Sequence, residues 1–115
     1  MSAPPNGLSL QRCKPCEGGV PPLEREVAEE LMQALDSGWQ FSTDGKWIER
    51  HFEFPNFDST MGFTNAVAWI ANTEDHHPDM EVSYGFCHVK YTTHAIEGLS
   101  ENDFICAAKI DRLVA

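Results

Sequence analysis

The sequence predicts an α+β fold: one four-stranded antiparallel sheet with three helices packed on one face, in the order α-β-β-α-β-β-α. Three observations point there. Apolar residues recur at helical spacing in three separate stretches. Between them lie two strand pairs, each with a glycine-containing break tight enough to fold the chain back antiparallel. A chain of 115 residues holds one such domain with a real core, and not two.

Residues 1–20 contain Pro4, Pro5, Gly7, Pro15, Gly18 and Gly19 with little apolar periodicity, so they are expected to form an arm that lies over the domain or is partly disordered. The domain itself then spans 21–115. Pro21 and Pro22 suit a helix start, Leu23, Val27, Leu31 and Leu35 follow at about helical spacing, and Gly38 is a natural stop. These predict a first helix over 23–37, with Glu24, Glu26, Glu29 and Glu30 facing outward and acidic first turns that suit the helix dipole. Residues 39–54 read as a hairpin in which Asp44-Gly45 supplies a two-residue turn of the primed type. On its second strand Ile48, Phe52 and Phe54 share one face, while Trp47, Glu49, His51 and Glu53 take the other.

Pro55 ends that strand, and Asp58 or Ser59 is the expected cap of the next helix. Phe63, Ala66, Val67 and Ile70 then form one apolar stripe, giving a second helix to about Thr73. Residues 80–93 form the second strand pair, broken near Gly85, with His94 at its end. Ser100-Glu101-Asn102-Asp103 has the form of a capping box, and a third, apolar helix is predicted over 104–113. With the helices on one face of the sheet, the opposite face is left for a ligand or partner.

Composition excludes several roles. The longest apolar run, from Ala66 to Ala71, is far too short to span a membrane, and no secretory signal pattern opens the chain, so no membrane partner and a cytoplasmic location are expected. A formal charge of -10 argues against nucleic acid as a direct partner, since phosphate binding needs a basic surface. Cys13 and Cys16 form a C-x-x-C motif, but no second pair stands at zinc-ribbon spacing and no strand precedes it as in a thioredoxin-type turn. A loop element without catalytic work is the leading reading, ahead of a structural zinc and of redox chemistry. Cys87 and Cys106 lie in apolar surroundings and are expected in the core.

Chemistry concentrates at Glu74-Asp75-His76-His77-Pro78-Asp79. Adjacent histidines cannot share one face of a strand, so a pair just before proline reads as a loop at a site. With His94, the pair brings three of the five histidines into one span. Imidazole gives or takes a proton near neutral pH, so three together make a candidate acid/base site. On the residues alone, the trio serves proton transfer, metal binding with Asp75 or Asp79, or nothing at all, about equally well. His51 and His88 are assigned to the surface or the core, and Trp47 and Trp69 to packing.

Taken in order, Gly38-Trp39, the run from His51 to Phe54, Asp75-His76-His77-Pro78, Val82-Ser83-Tyr84, Thr92-Thr93-His94, Gly98-Leu99-Ser100 and Asp103 resemble the pterin-4a-carbinolamine dehydratases. The N-terminal Cys13-Lys14-Pro15-Cys16 and Pro21-Pro22-Leu23 resemble the bacterial branch of that family. The resemblance implies dehydration of a 4a-hydroxy-tetrahydropterin to the quinonoid dihydropterin and water, with no metal or organic cofactor. Such a pterin is the spent cofactor of aromatic amino acid hydroxylases, which makes a hydroxylase a candidate partner. His76, His77 and His94 match the family's catalytic histidines. The resemblance also carries over Trp39 as an aromatic wall of the pterin pocket, Asp103 as a site aspartate that orients an imidazole or strengthens it as a base, and Asp75 as a supporting neighbour. It implies a homodimer or homotetramer. Animal members also act as dimerisation cofactors of a homeodomain transcription factor, so a non-catalytic interaction module is the alternative. Asn72, four before the first histidine, replaces an acidic residue frequent in the family, and Met80 replaces a tryptophan of the animal members.

Overall fold

A computed structural model of the chain describes residues 7–16 and 18–115; of the arm expected over 1–20, residues 1–6 and Glu17 lie outside the described residues. The sheet has the order β1-β2-β4-β3 and every pair is antiparallel, built from β1 (Gln40–Phe41), β2 (Ile48–Glu53), β3 (Asp79–Val82) and β4 (Phe86–Tyr91). The register sets Ile48 opposite Tyr91 and Phe52 opposite Cys87. With period-two alternation, Ile48, Phe52, Cys87, Val89 and Tyr91 are therefore buried on one face. Glu49, His51, His88 and Lys90 stand on the other, where His51 Nδ1 lies 3.1 Å from His88 Nδ1.

Three helices, α1 (Arg25–Met32), α2 (Phe57–Glu74) and α3 (Glu101–Asp111), complete the α+β architecture that the sequence predicts. Their apolar sides meet the buried sheet face around Val67, Phe104 and Ile110. α3 is buried along nearly its whole length, from Asn102 to Ala108 and at Ile110. Part of its cover is the arm: a 3-10 turn at Leu8–Leu10 buries Leu8 against the core, and Lys109 Nζ donates to Ser9 O at 2.9 Å. Burying one leucine contributes about 1.5–3 kcal/mol toward docking the arm. No helix is long and apolar enough to cross a membrane among the described residues.

Local details differ from the sequence reading. α1 is shorter than 23–37 because its C-terminal backbone tightens into three-residue turns, with Ala34 N donating to Leu31 O and Leu35 N to Met32 O. The next amide, Asp36 N, is captured by the Asp111 carboxylate at 2.9 Å. The cap of α2 is Asn56, whose Oδ1 accepts from Ser59 N at 2.8 Å, so neither Asp58 nor Ser59 caps it. The β1–β2 connection is wider than two residues: Ser42 N pairs with Trp47 O, and Asp44 accepts from the Ser42 hydroxyl and Lys46 N. Asp44 there prefers a local side-chain turn, and Gly45 takes the left-handed φ of 74° that follows.

Candidate active site

Three element ends converge on one place. α2 terminates where Asp75 adopts a left-handed conformation, φ 54°, and the next amide, His76 N, returns to Ala71 O at 3.2 Å. This sharp exit puts His76 and His77 directly after the helix. On the other side, β4 runs through Thr92 and Thr93 into a 3-10 turn that begins at His94. Thr93 pairs with Gly98 across that turn, which returns the chain to Ser100 and the start of α3. His76, His77, His94 and Asp75 line a shared cleft of about 500 Å³. The cleft lies at the ends of the elements, beneath the arm, rather than on the open sheet face that the sequence left for a ligand.

Asp103 is the fixed point of the cleft. It is fully buried, and its burial is offset by three donors: Ser100 N at 2.9 Å, the Thr93 hydroxyl at 2.8 Å and His76 Nε2 at 2.7 Å. The first is the reciprocal half of the capping box, so helix start and histidine contact use the same carboxylate. In the neutral imidazole, a carboxylate accepting at Nε2 places the proton there and leaves Nδ1 as the acceptor. His76 is also stacked on Tyr91, with ring centroids 5.6 Å apart and planes within 5°. Its orientation is therefore fixed twice. His77 and His94 are exposed to the cleft, and His94 and Trp47 pair edge-on, with ring centroids 5.6 Å apart.

Trp39 lies elsewhere. It is buried in the core between Phe52 and Tyr91, and its indole N–H donates to Asp111 at 2.7 Å. The structure does not bring it to the cleft, where the resemblance placed an aromatic wall. Besides Tyr91, the ring that approaches a site histidine is Trp47, which the sequence assigned to packing; Lys90 Nζ lies over the Trp47 ring, 4.6 Å from its centroid.

Several cleft residues escaped the sequence reading. The arm supplies Arg12, Cys13, Lys14, Pro15 and Cys16 to one wall. It is held by Glu74, whose carboxylate accepts from Cys13 N at 2.8 Å and pairs with Arg12 at 3.0 Å and Lys109 at 3.7 Å. Burial alone would raise the Glu74 carboxyl, but the Cys13 N–H and the two cations outweigh it and hold it below the usual glutamate value. Asn102 acts as a second clasp, accepting from Lys14 N at 3.0 Å and donating to Lys14 O at 2.7 Å. One signal for Glu74 was present: an acidic side chain in the last turn of a helix opposes the dipole and needs another reason to be there. Asn102 carried no such signal. Among the described residues, no group of three or more His, Cys, Asp or Glu side chains is disposed to hold a metal ion.

The class is a small α+β scaffold, helices on one face of its sheet, with three histidines lining an open cleft at the ends of its elements. Comparison with known proteins is specific. The family model for pterin 4 alpha carbinolamine dehydratase matches residues 21–113, and the chain belongs to that family. A relative from Nitrosomonas europaea that carries the same family name is 61% identical over 106 residues, 92% of each chain. The crystal structure of a transcriptional coactivator/pterin dehydratase from Brucella melitensis superposes with a TM-score of 0.77 at 32% identity, covering 82% of this chain and 99% of that one. A pterin dehydratase-like protein identified as a RuBisCO assembly factor shares the fold alone, at a TM-score of 0.59 and 18% identity over 68% of this chain and 90% of that one.

Proposed function

We propose that this chain dehydrates a 4a-hydroxy-tetrahydropterin to the quinonoid dihydropterin and water, by histidine general acid/base catalysis in the cleft formed by His76, His77 and His94. The observation that carries the reading is the Asp103–His76 pair at 2.7 Å beside two cleft-exposed imidazoles. The reaction removes the proton from N5 and expels the hydroxyl from C4a, which leaves readily only as water. It needs one group to accept a proton and one to donate it on the same flat ring system. His77 and His94 both line the cleft, one following the end of α2 and one following the end of β4, which makes them the candidates for the donor and acceptor roles. His76, held by Asp103, positions the hydroxyl or shares in its protonation. General acid/base help of this kind is worth about 10²–10⁴ in rate, or about 3–5 kcal/mol.

The physiological reading that goes with this chemistry is recycling of the pterin cofactor of an aromatic amino acid hydroxylase in the cytoplasm. Self-association as a homodimer or homotetramer is supported by β3, an edge strand whose four residues are all exposed, including the apolar Met80 and Val82. The test is a stopped-flow assay on chemically generated 4a-hydroxy-tetrahydropterins with different side chains. Acceleration over the spontaneous reaction is expected, and none with any substrate would refute the proposal.

A second reading, a non-catalytic interaction module, is favoured by one observation: Trp69 on α2 is 72% exposed. The Brucella relative's description as a coactivator is of the same kind. Binding of that sort would survive loss of His77 and His94, which dehydration would not.

A further inference from the structure

A sulfur contact joins the arm to the core helix outside the imidazole site. Cys13 Sγ lies 3.5 Å from Cys106 Sγ, across 93 residues of sequence. Cys106 is fully buried in α3, three residues after Asp103. Cys13 sits on the arm, in no helix or strand, and is half-buried against the cleft. We propose that Cys13 and Cys106 are a reversible dithiol–disulfide pair that latches the arm in place as one wall of the cleft.

The geometry needs little change. A disulfide requires sulfurs about 2.05 Å apart, so van der Waals contact must shorten by about 1.5 Å. Rotation of Cys13 about its own side chain, on a segment without secondary structure, accommodates that more readily than any shift of α3. The backbone on either side of the sulfur is already seated, with Cys13 N on Glu74 and Lys14 clasped by Asn102. The contact itself is therefore pre-formed by the arm's own docking bonds.

The two thiols have different tasks. The neighbouring Cys13 thiol and then burial push Cys106 far above the usual thiol pKa, so it is a poor first nucleophile. Cys13 attacks a low-molecular-weight disulfide, RSSR, forming Cys13–S–SR and releasing RS⁻. Cys106, giving up its proton, then displaces the second RS⁻ and closes Cys13–S–S–Cys106. Two protein thiols are oxidised, one RSSR is reduced to two RSH, and the atoms balance. Once closed, the arm cannot leave Glu74 and Asn102 without unfolding α3.

Oxidised glutathione and the full chain provide the test. The protein is expected to lose the mass of two thiol hydrogens, and peptide mapping to give a single Cys13–Cys106 cross-link that dithiothreitol reverses. Hydrogen exchange at the Cys13 and Lys14 amides should slow at least about tenfold on oxidation, because their opening is now coupled to α3. Cys16→Ala should form the same cross-link, and Cys106→Ala should not form it. If Cys106→Ala fails to fold, Cys13→Ser on the arm replaces it in the same experiment. A Cys13–Cys16 bond, a stable glutathione adduct without closure, or a Cys13–Cys106 bond that leaves amide exchange unchanged would each overturn the proposal.

Discussion

His76 Nε2 stands 2.7 Å from Asp103 Oδ1, while Asp103 Oδ2 accepts the Ser100 N–H that begins α3. One buried carboxylate thus fixes both the direction of an imidazole and the start of the helix that closes the core. The coupling means that a change at Asp103 registers in catalysis and in stability together.

Asp103→Asn keeps the size and one acceptor but loses the charge and half of the acceptor capacity. Stability is expected to fall by about 1–2 kcal/mol, since a cap and a buried pairing are weakened. Dehydration should slow by about 10–100-fold through loss of His76 orientation. Thermal unfolding and single-turnover rates check the two effects on the same sample. Loss of stability with full activity would separate the cap from the site.

Glu74 ties the arm to the cleft, and its pH dependence has a definite sign. Its carboxyl is held below the ordinary value of 4.5 in the folded chain. The folded state therefore binds fewer protons than the unfolded one between the two pKa values. The stabilisation is fully present above the ordinary glutamate range and is lost as pH falls through the lowered folded value. Arm docking is accordingly insensitive to pH around neutrality and fails in acid. At neutral pH, Glu74→Gln should weaken docking by about 1–2 kcal/mol, at the lower end because Arg12 is largely exposed. The rate of trypsin cleavage after Arg12 measures it.

Trp39 and Trp47 stand in different surroundings, the first buried beside Phe52 and Asp111 and the second beside His94. Trp39→Phe removes a buried ring and the 2.7 Å bond to Asp111, and should cost about 1–3 kcal/mol of stability while kcat/KM stays unchanged. Trp47→Ala removes the ring that packs edge-on with His94 and should lower kcat/KM by about 3–10-fold with a smaller loss of stability. Denaturant titration and steady-state kinetics on both variants decide it. A larger kinetic defect in Trp39→Phe than in Trp47→Ala would return Trp39 to the pocket.

Where the signals were local, the fold was legible. Alternation in β2 and β4, the stripe from Phe63 to Ile70 and the Ser100–Asp103 box each depend on residues a few positions apart, and each element formed as they imply. The histidine loop belongs to the same group, because a histidine pair before proline has little choice but a bend. What stayed hidden depends on partners distant in sequence. Beyond the early end of α1, the Asp36 amide is taken by Asp111, 75 residues away. Trp39 has the same side chain whether it stacks on a ligand or fills a core, and only the position of Asp111 and Phe52 separates the two. The arm shows no periodicity, so nothing in its own residues told that Glu74 and Asn102 would receive it.

The central claim is that two cleft-exposed histidines carry protons for pterin dehydration. The direct measurement is the stopped-flow rate of 4a-hydroxy-tetrahydropterin dehydration by His77→Ala combined with His94→Ala. Both side chains are exposed, so the variant should fold with stability within about 0.5 kcal/mol of the parent. Its rate should fall to that of the spontaneous reaction, a loss of about 10² or more. A folded variant that retains dehydration within about threefold of the parent rate, where general acid/base groups are worth at least a hundredfold, would contradict the claim.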